Sequence, residues 1–453
     1  MGSKSAATAG PRQHLLSFRD FVEQALFHPR WGYYATGAVR FGDGGHFDTY
    51  PLALSPYFGM MVARRAHSLW RAAQRPRRFE VCEIGAGNGQ LCLDVLAHVA
   101  AQAACDPGWR SFAKGLRYRI IEKSPALRRR QAELLGPLAG SVTWTNLDLS
   151  QARRVATRRG VALIVANEVL DCLAHEKVVL GRDRVFRAVH VAARRRGGGP
   201  LLTRGEIAAA LAAGERLRFR ELLLPVQSVR GLRRFLWRHY SPAEVRSSRL
   251  PWTYFACPSM PTFVANLAGL YHDAEILLID YGGDRGYHLL TPGARRISAG
   301  RPEERNATPY RAPGRDDITF LVDFSVALRA AAAAALKISY YGPQGGLARL
   351  SRVRLDDAAI KTIIEHRALG WLLAVTGVGP EQRQRSASLS WSKPPGRHRK
   401  TLAREAREAV DGFVGHSKNR FQLLVLRKRP TRSAAGVGRA RGRAFPAGSK
   451  TFR

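Results

Sequence analysis

The sequence predicts an α/β fold: a Rossmann-like, mostly parallel sheet preceded by an N-terminal helical segment, interrupted by a large insertion and followed by a disordered basic tail. Three observations predict it. Short apolar runs at 79–84, 118–121, 142–144 and 161–166 alternate with helical or glycine-rich stretches, the pattern of parallel βαβ units. The first of these runs leads straight into a glycine-rich turn, Gly85-Ala-Gly-Asn-Gly89, with a helix predicted to begin near Leu91. At 453 residues the chain also exceeds the roughly 100–200 residues of one ordinary domain, which leaves room for inserted elements.

Residues 1–12 are small and polar and read as a disordered lead. Within 13–75, Phe18, Phe21, Val22, Ala25 and Leu26 recur at helical spacing and predict an amphipathic helix that stops at His28-Pro29. A Gly-rich aromatic loop, 31–47, separates it from a second predicted helix, Pro56 through Trp70, and the segment is expected to pack on the core. Residues 76–180 hold the cofactor-binding half of the sheet. The interval 181–273 reads as an insertion on the substrate side, with a Gly-rich break at 194–200 and an Arg-rich stretch, Arg216 to Arg238, read as helical and solvated. Residues 274–428 return to the core through strand candidates at 276–279, 318–324 and 421–426, an Ala-rich helix, a mobile polar linker at 382–400 and a helix over 402–413. The remainder, 429–453, is basic and without acids, and is expected to be disordered.

Composition narrows the function classes. The five cysteines are scattered and never form a Cys-x-x-Cys pair, so neither a disulfide framework nor a zinc site is expected, and a reducing compartment, by default the cytoplasm, fits. No apolar stretch approaches the roughly 20 residues that cross a bilayer, and the N-terminus has no apolar signal core, so no membrane partner is expected. His28, His46 and His175 lack paired ligand spacing, and no metal is expected. The net charge of +38 can attract nucleic acid or acidic proteins. Most of the excess is arginine dispersed along the chain, which reads as solvated surface, while nucleic acid stays open as a partner of the basic surface and tail.

The chemistry concentrates in Val81-Cys-Glu-Ile-Gly-Ala-Gly-Asn-Gly-Gln90. Gly85, Ala86, Gly87 and Gly89 allow a tight turn and close approach of a ligand to the backbone, ahead of a helix N-terminus. A dinucleotide site would need glycine where Gln90 stands and a ribose-binding acid about 20 residues on. Instead the next strand ends in Glu122, placed to accept both hydroxyls of a ribose. Glu83 would repel a pyrophosphate but attract an amino group, so S-adenosylmethionine fits better than NAD. Asp148 is a candidate adenine contact. The fourth strand ends in Asn167, Glu168 and Asp171, which should face the same crevice and serve the acceptor, with Asn167 also counted on the cofactor side. Asp280 and Tyr281 end another strand and can close the pocket, although a packed tyrosine explains Tyr281 equally well.

The chain resembles the MidA-type family of class I S-adenosylmethionine-dependent methyltransferases, which includes a mitochondrial complex I assembly factor that methylates an arginine of a core subunit. The matching residues are Ser17-Phe-Arg-Asp-Phe, Pro29-Arg-Trp-Gly-Tyr-Tyr34, Gly45-His-Phe-Asp-Thr49, Ser55-Pro-Tyr-Phe-Gly59 and Glu83-Ile-Gly-Ala-Gly-Asn-Gly89. They continue through Ile121-Glu-Lys-Ser-Pro125, Asn167-Glu-Val-Leu-Asp171, Leu278-Ile-Asp-Tyr-Gly282 and Asp317-Ile-Thr-Phe-Leu-Val-Asp-Phe324. The resemblance implies a class I methyltransferase sheet and a protein substrate, arginine nitrogen first. The chain departs from the family at Thr49-Tyr-Pro-Leu-Ala-Leu-Ser55, which lacks a glutamate near Leu52, and at Phe255, where another glutamate is usual. Both losses bear on how a cationic guanidinium is held. Two other readings stay open: an RNA methyltransferase, and a non-catalytic assembly factor that retains the fold.

Overall fold

The central strands form because their residues are apolar on both sides. Val81, Leu163, Val165 and Leu277 face one buried cluster, while Cys82, Ile164, Ala166 and Leu278 face another. Such near-continuous apolar runs belong to a parallel sheet covered on both faces. A computed structural model describes residues 11–37, 39, 49–247, 250–285, 297–299, 308–376, 396–414 and 421–428. In chain order its strands are β1 Leu16–Ser17, β2 Phe79–Ile84, β3 Leu116–Ile121, β4 Val142–Thr145, β5 Arg158–Asn167, β6 Glu176–Leu180, β7 Phe186–Arg195, β8 Leu217–Pro225, β9 Trp252–Ala256, β10 Tyr271–Gly283, β11 Ile297–Ala299, β12 Ile318–Phe320, β13 Val322–Asp323, β14 Lys337–Pro343 and β15 Phe421–Lys428.

The main sheet runs β14-β15-β10-β5-β2-β3-β4, with β13 beside the end of β10. Strands β2, β3, β4, β5 and β10 are parallel, and β15 is antiparallel to both its neighbours. The chain builds outward from β2 to β4, then crosses back to lay β5 on the other side of β2. Strand order therefore reverses at the β2–β5 junction, where open α/β sheets bind ligands outside their carboxyl ends. This is the Rossmann-like arrangement expected from the sequence.

A second, antiparallel sheet runs β1-β7-β6-β9, with β8 on the far edge of β7. It begins at Glu176, ahead of the 181–273 interval, and draws in Leu16 and Ser17 opposite Val191 and His190. The helix Phe18–Phe27 is capped by the Ser17 side chain and packs Phe18, Phe21 and Val22 with Val189, Val191 and Phe320 in a third cluster. The N-terminal segment is thereby tied to the insertion as well as to the sheet.

Three local expectations are corrected. The stretch Arg216 to Arg238 is not helical throughout: Leu217–Pro225 is a strand, and a helix appears only at Leu232–His239. Apolar residues and arginine alternate with period two from Leu217 to Arg220, so pairing with β7 prevails over helical propensity. The single strand expected at 318–324 breaks into β12 and β13, and Phe324 opens a helix capped by Asp323, whose side chain accepts from the Ser325 N–H at 3.0 Å. The helix expected over 402–413 runs Gly396–Val414 and takes in the end of the proposed linker. Most of that linker, residues 1–10 of the expected lead and the tail lie outside the described residues. No helix among the described residues is long and apolar enough to cross a membrane.

One buried ion pair joins the helix Tyr57–Ala72 to the sheet. Glu275 on β10 is fully enclosed, and its two carboxylate oxygens each accept from the Arg65 guanidinium at 2.6 Å, with Arg427 at 3.7 Å. Removing one partner of such a pair strands the other charge in an apolar interior. Arg65→Met is expected to destabilise the protein by about 3 kcal/mol, and Arg65→Met with Glu275→Leu to recover most of the loss, as urea unfolding midpoints would show.

Candidate cofactor and acceptor site

The turn after β2 has the backbone that its glycines permit. Gly85, Gly87 and Gly89 have φ of +63°, +54° and +95°, a region that side-chain-bearing residues rarely enter. Space is short as well: a Cβ on Gly85 would lie 3.1 Å from Val169 Cγ2, and one on Gly89 3.3 Å from the Gln131 backbone. The Gly85 N–H donates to the Ile121 carbonyl at 2.9 Å, so the turn is anchored on the neighbouring strand. Gly89 caps the helix Gln90–Cys105, whose first-turn N–H groups face the turn.

Glu83, at the tip of β2, is buried and accepts a 2.6 Å hydrogen bond from the Tyr118 hydroxyl. Burial raises its carboxyl to about 7, against the opposing effect of that bond. Glu122 follows β3 and is also buried; it accepts from the Ser124 N–H at 2.9 Å and from Gln131 Nε2 at 3.3 Å. Burial raises its carboxyl too. Gln131 joins the acid to the turn, because the same Nε2 donates to the Gly87 carbonyl at 3.0 Å while its Oε1 accepts from Trp144 Nε1 at 3.0 Å. Sequence reasoning missed Gln131. The available signal was a lone amide on the apolar stripe Ala126, Leu127, Leu135 of an otherwise Arg-rich helix.

Asp148 lies beyond β4. Burial acts to raise its carboxyl, but the Lys123 ammonium at 3.1 Å and two bonds from Ser150 hold it below its usual range. Lys123 in turn sits 3.2 Å above the Phe27 ring and 3.2 Å from Glu23, so the N-terminal helix closes this end of the cleft.

On the opposite side, Asn167 ends β5 and Glu168 follows with φ of +51°, a strained position for a residue with a side chain. Asn167 Nδ2 donates to Glu168 Oε1 at 3.1 Å, whereas Asn167 Oδ1 and Asp171 Oδ1 are buried without a hydrogen-bond partner. Burial raises Asp171 to about 6. Asp280 does not line the cleft. It accepts from the backbone N–H groups of Leu170 at 2.9 Å and Asp171 at 3.1 Å, which holds the loop that carries Glu168 and Asp171. Burial and the neighbouring Asp171 charge raise the Asp280 carboxyl. Tyr281 is likewise behind the wall and outside the lining.

One cleft brings these groups together. Glu83, Gly85, Ala86, Gly87, Glu122, Asp148, Asn167, Glu168 and Asp171 all line it; Gly89 does not. Tyr34, unassigned by sequence reasoning beyond its motif, also lines it and donates to Asp317 Oδ1 at 2.8 Å. The motif around Ser55 acts from behind. Ser55 Oγ donates to Asp94 Oδ2 at 2.6 Å, Gln90 Nε2 donates to Asp94 Oδ1 at 2.7 Å, and Gly59 leaves no room for a Cβ, which would fall 2.3 Å from Asp94 Cβ. Of the two positions that lack glutamate, Leu52 lines the cleft, whereas Phe255 is packed between Phe18 and Phe320 at centroid distances of 5.9 and 5.4 Å. Among the described residues no group of three or more His, Cys, Asp or Glu side chains could hold a metal ion.

The residues fit an adenosine-linked sulfonium. Two acids stand on neighbouring strand tips where hydroxyls and an ammonium need acceptors, and Lys123, the cation in the lining, is engaged by Glu23 and Asp148.

Comparison with known proteins agrees with this geometry. Residues 61–344, more than half of the chain, match the family described as "Putative S-adenosyl-L-methionine-dependent methyltransferase". The mitochondrial protein arginine methyltransferase NDUFAF7 of Danio rerio is 33% identical over 135 residues, which are 30% of this chain and 29% of that protein. Its Drosophila melanogaster homologue is 31% identical over 116 residues, 25% of this chain and 24% of that one. The chain thus aligns with less than a third of the length of these curated relatives. A crystal structure from Burkholderia thailandensis, bound to S-adenosyl-homocysteine, shares the fold with a TM-score of 0.61 and 21% identity, covering 92% of this chain and 88% of that one. A native crystal structure from the same organism gives a TM-score of 0.57 and 20% identity over the same shares. With its motifs, its sheet and its cleft in agreement with the matched region, the chain belongs to this family of S-adenosyl-L-methionine-dependent methyltransferases.

Proposed function

We propose that the protein transfers a methyl group from S-adenosyl-L-methionine to a protein side chain, an arginine nitrogen first. The observation that carries this reading is the pair Glu168 and Asp171 in the cleft lining beside the glycine turn, with Asp171 Oδ1 buried and unpartnered. Two carboxylates that converge on one cleft suit a cationic planar group better than a hydroxyl or a base. The names of the Danio and Drosophila relatives point the same way.

In this reading Glu122 accepts the ribose hydroxyls, Glu83 faces the methionine amino group, and Asp148 with Leu149 borders the adenine. The sulfonium supplies an already activated methyl group, so the protein has to align the acceptor and exclude water. Glu168 and Asp171 hold the guanidinium, and Asn167 orients it. Asp171 Oδ1 would take the proton that leaves the acceptor nitrogen once that nitrogen receives the methyl group the sulfonium supplies. Leu52 contributes an apolar wall, so the acceptor cation rests on Glu168 and Asp171.

The direct test is incubation of a deletion-strain lysate with purified protein and methyl-labelled cofactor. Label in protein that hydrolyses to methylarginine supports the proposal. Label in RNA alone, or in no macromolecule, overturns it.

Three further outcomes are expected. Gly87→Val and Glu122→Ala should each lower cofactor affinity by at least about a hundredfold by calorimetry, since each blocks or empties a contact of the cradle. Asp171→Asn should leave that affinity within about twofold yet cut label transfer by about a hundredfold or more. Affinity should also depend on pH. With Glu83 raised to about 7 in the free protein, binding an ammonium requires its ionised form, so affinity should fall about tenfold per pH unit below that value and level off above it. In Glu83→Gln that slope should vanish.

A further inference from the structure

β8 is the terminal strand of the antiparallel sheet. All nine of its residues pair with β7, and among the described residues no strand occupies its other edge. A free edge of this length presents unpaired backbone donors and acceptors, the template on which extended segments are added to sheets.

Its side chains are unevenly distributed. At one end Arg218 and Arg220 are exposed; at the other Leu222 and Leu224 are half-buried and Leu223 is 49% exposed. Arg218 lies directly opposite Arg194 in the ladder, and like charges in that position repel. Arg196 and Arg216, both exposed, extend the cationic end. The nearby acids are committed elsewhere. Glu215 is 3.0 Å from Arg195, while Glu221 accepts from Lys177 at 2.8 Å and from Tyr310 at 2.7 Å. No ion pair among the described residues reaches Arg194, Arg216, Arg218 or Arg220.

We propose that the open edge of β8 takes an extended segment of another protein as an added strand, with acidic side chains beside Arg194, Arg218 and Arg220 and apolar ones over Leu222–Leu224. A nucleic acid could use the arginines but neither the backbone edge nor the leucines, so an acidic-apolar peptide uses more of what this strand offers. The surface goes beyond the methyl-transfer reading and does not rest on it.

The test uses the full chain and a short fluorescein-labelled peptide in which alternating Glu and Thr lead into alternating Val and Leu. A second peptide has the Thr residues replaced by Pro, which removes backbone donors while keeping the charge. The first peptide should bind, weaken with added salt, and lose about tenfold in affinity with Arg218→Ala and Arg220→Ala combined, while the proline peptide fails to bind the parent protein. Both arginines are exposed, so far-UV circular dichroism of the double variant should match the parent, and the two-peptide comparison needs no variant. Failure of the first peptide to bind, equal binding of the two peptides, undiminished binding to the double variant, or tighter Arg218-dependent binding of polyuridylate than of peptide would overturn the proposal.

Discussion

The register of the parallel strands is the constraint on which the rest of this structure depends. Ile84 stands level with Ile121 on one side and with Ala166 on the other, and Ile121 stands level with Thr145. The residues that follow Ile84, Ile121 and Ala166 therefore end their strands along one row: Gly85, Glu122 and Asn167, with Asp148 three residues beyond Thr145. β2 and the C-terminal half of β5 are buried on both faces, so a slip by one residue would exchange the side chains of two cores and move their tips. Hydrophobic burial thus sets, at a distance, the spacing of the polar groups that line the cleft.

That cleft is built from acids held in places where acids are costly. Glu83, Glu122, Asp94, Asp171 and Asp280 are all buried, and burial raises the carboxyl of each. Four of them are held by donors: Glu83 by Tyr118, Glu122 by Ser124 and Gln131, Asp94 by Ser55 and Gln90, and Asp280 by the backbone N–H groups of Leu170 and Asp171. These bonds offset part of the desolvation and fix where each oxygen points. The same arrangement explains why Asp280 sits behind the wall: its work is to hold the Asn167–Asp171 loop, whose strained Glu168 would otherwise relax.

The antiparallel sheet gives the N-terminal helix its seat and so completes the cleft from the side. Phe18 and Phe21 pack into this layer, while Phe27 and Glu23 on the same helix reach Lys123 and the cleft lining. Its outer strand carries Arg218 and Arg220, both exposed and outside the ion pairs among the described residues, at a place set by sheet topology.

The sequence by itself determined β2 to β5, β10 and β15 of the main sheet, though not β14, together with the glycine turn, the two acids on neighbouring tips and the polar run Asn167, Glu168 and Asp171 after β5, because buried strands and left-handed turns leave short local patterns that tolerate few other residues. It also determined the family, through motifs strung along the chain. Tertiary structure alone decided that Gln131 ties Glu122 to Gly87, that Asp280 supports the site from behind, that Leu52 faces the cleft while Phe255 does not, and that the Arg-rich stretch starts as an edge strand. These depend on partners that lie far apart in the chain, and a contact between distant residues leaves no local pattern by which either could be recognised.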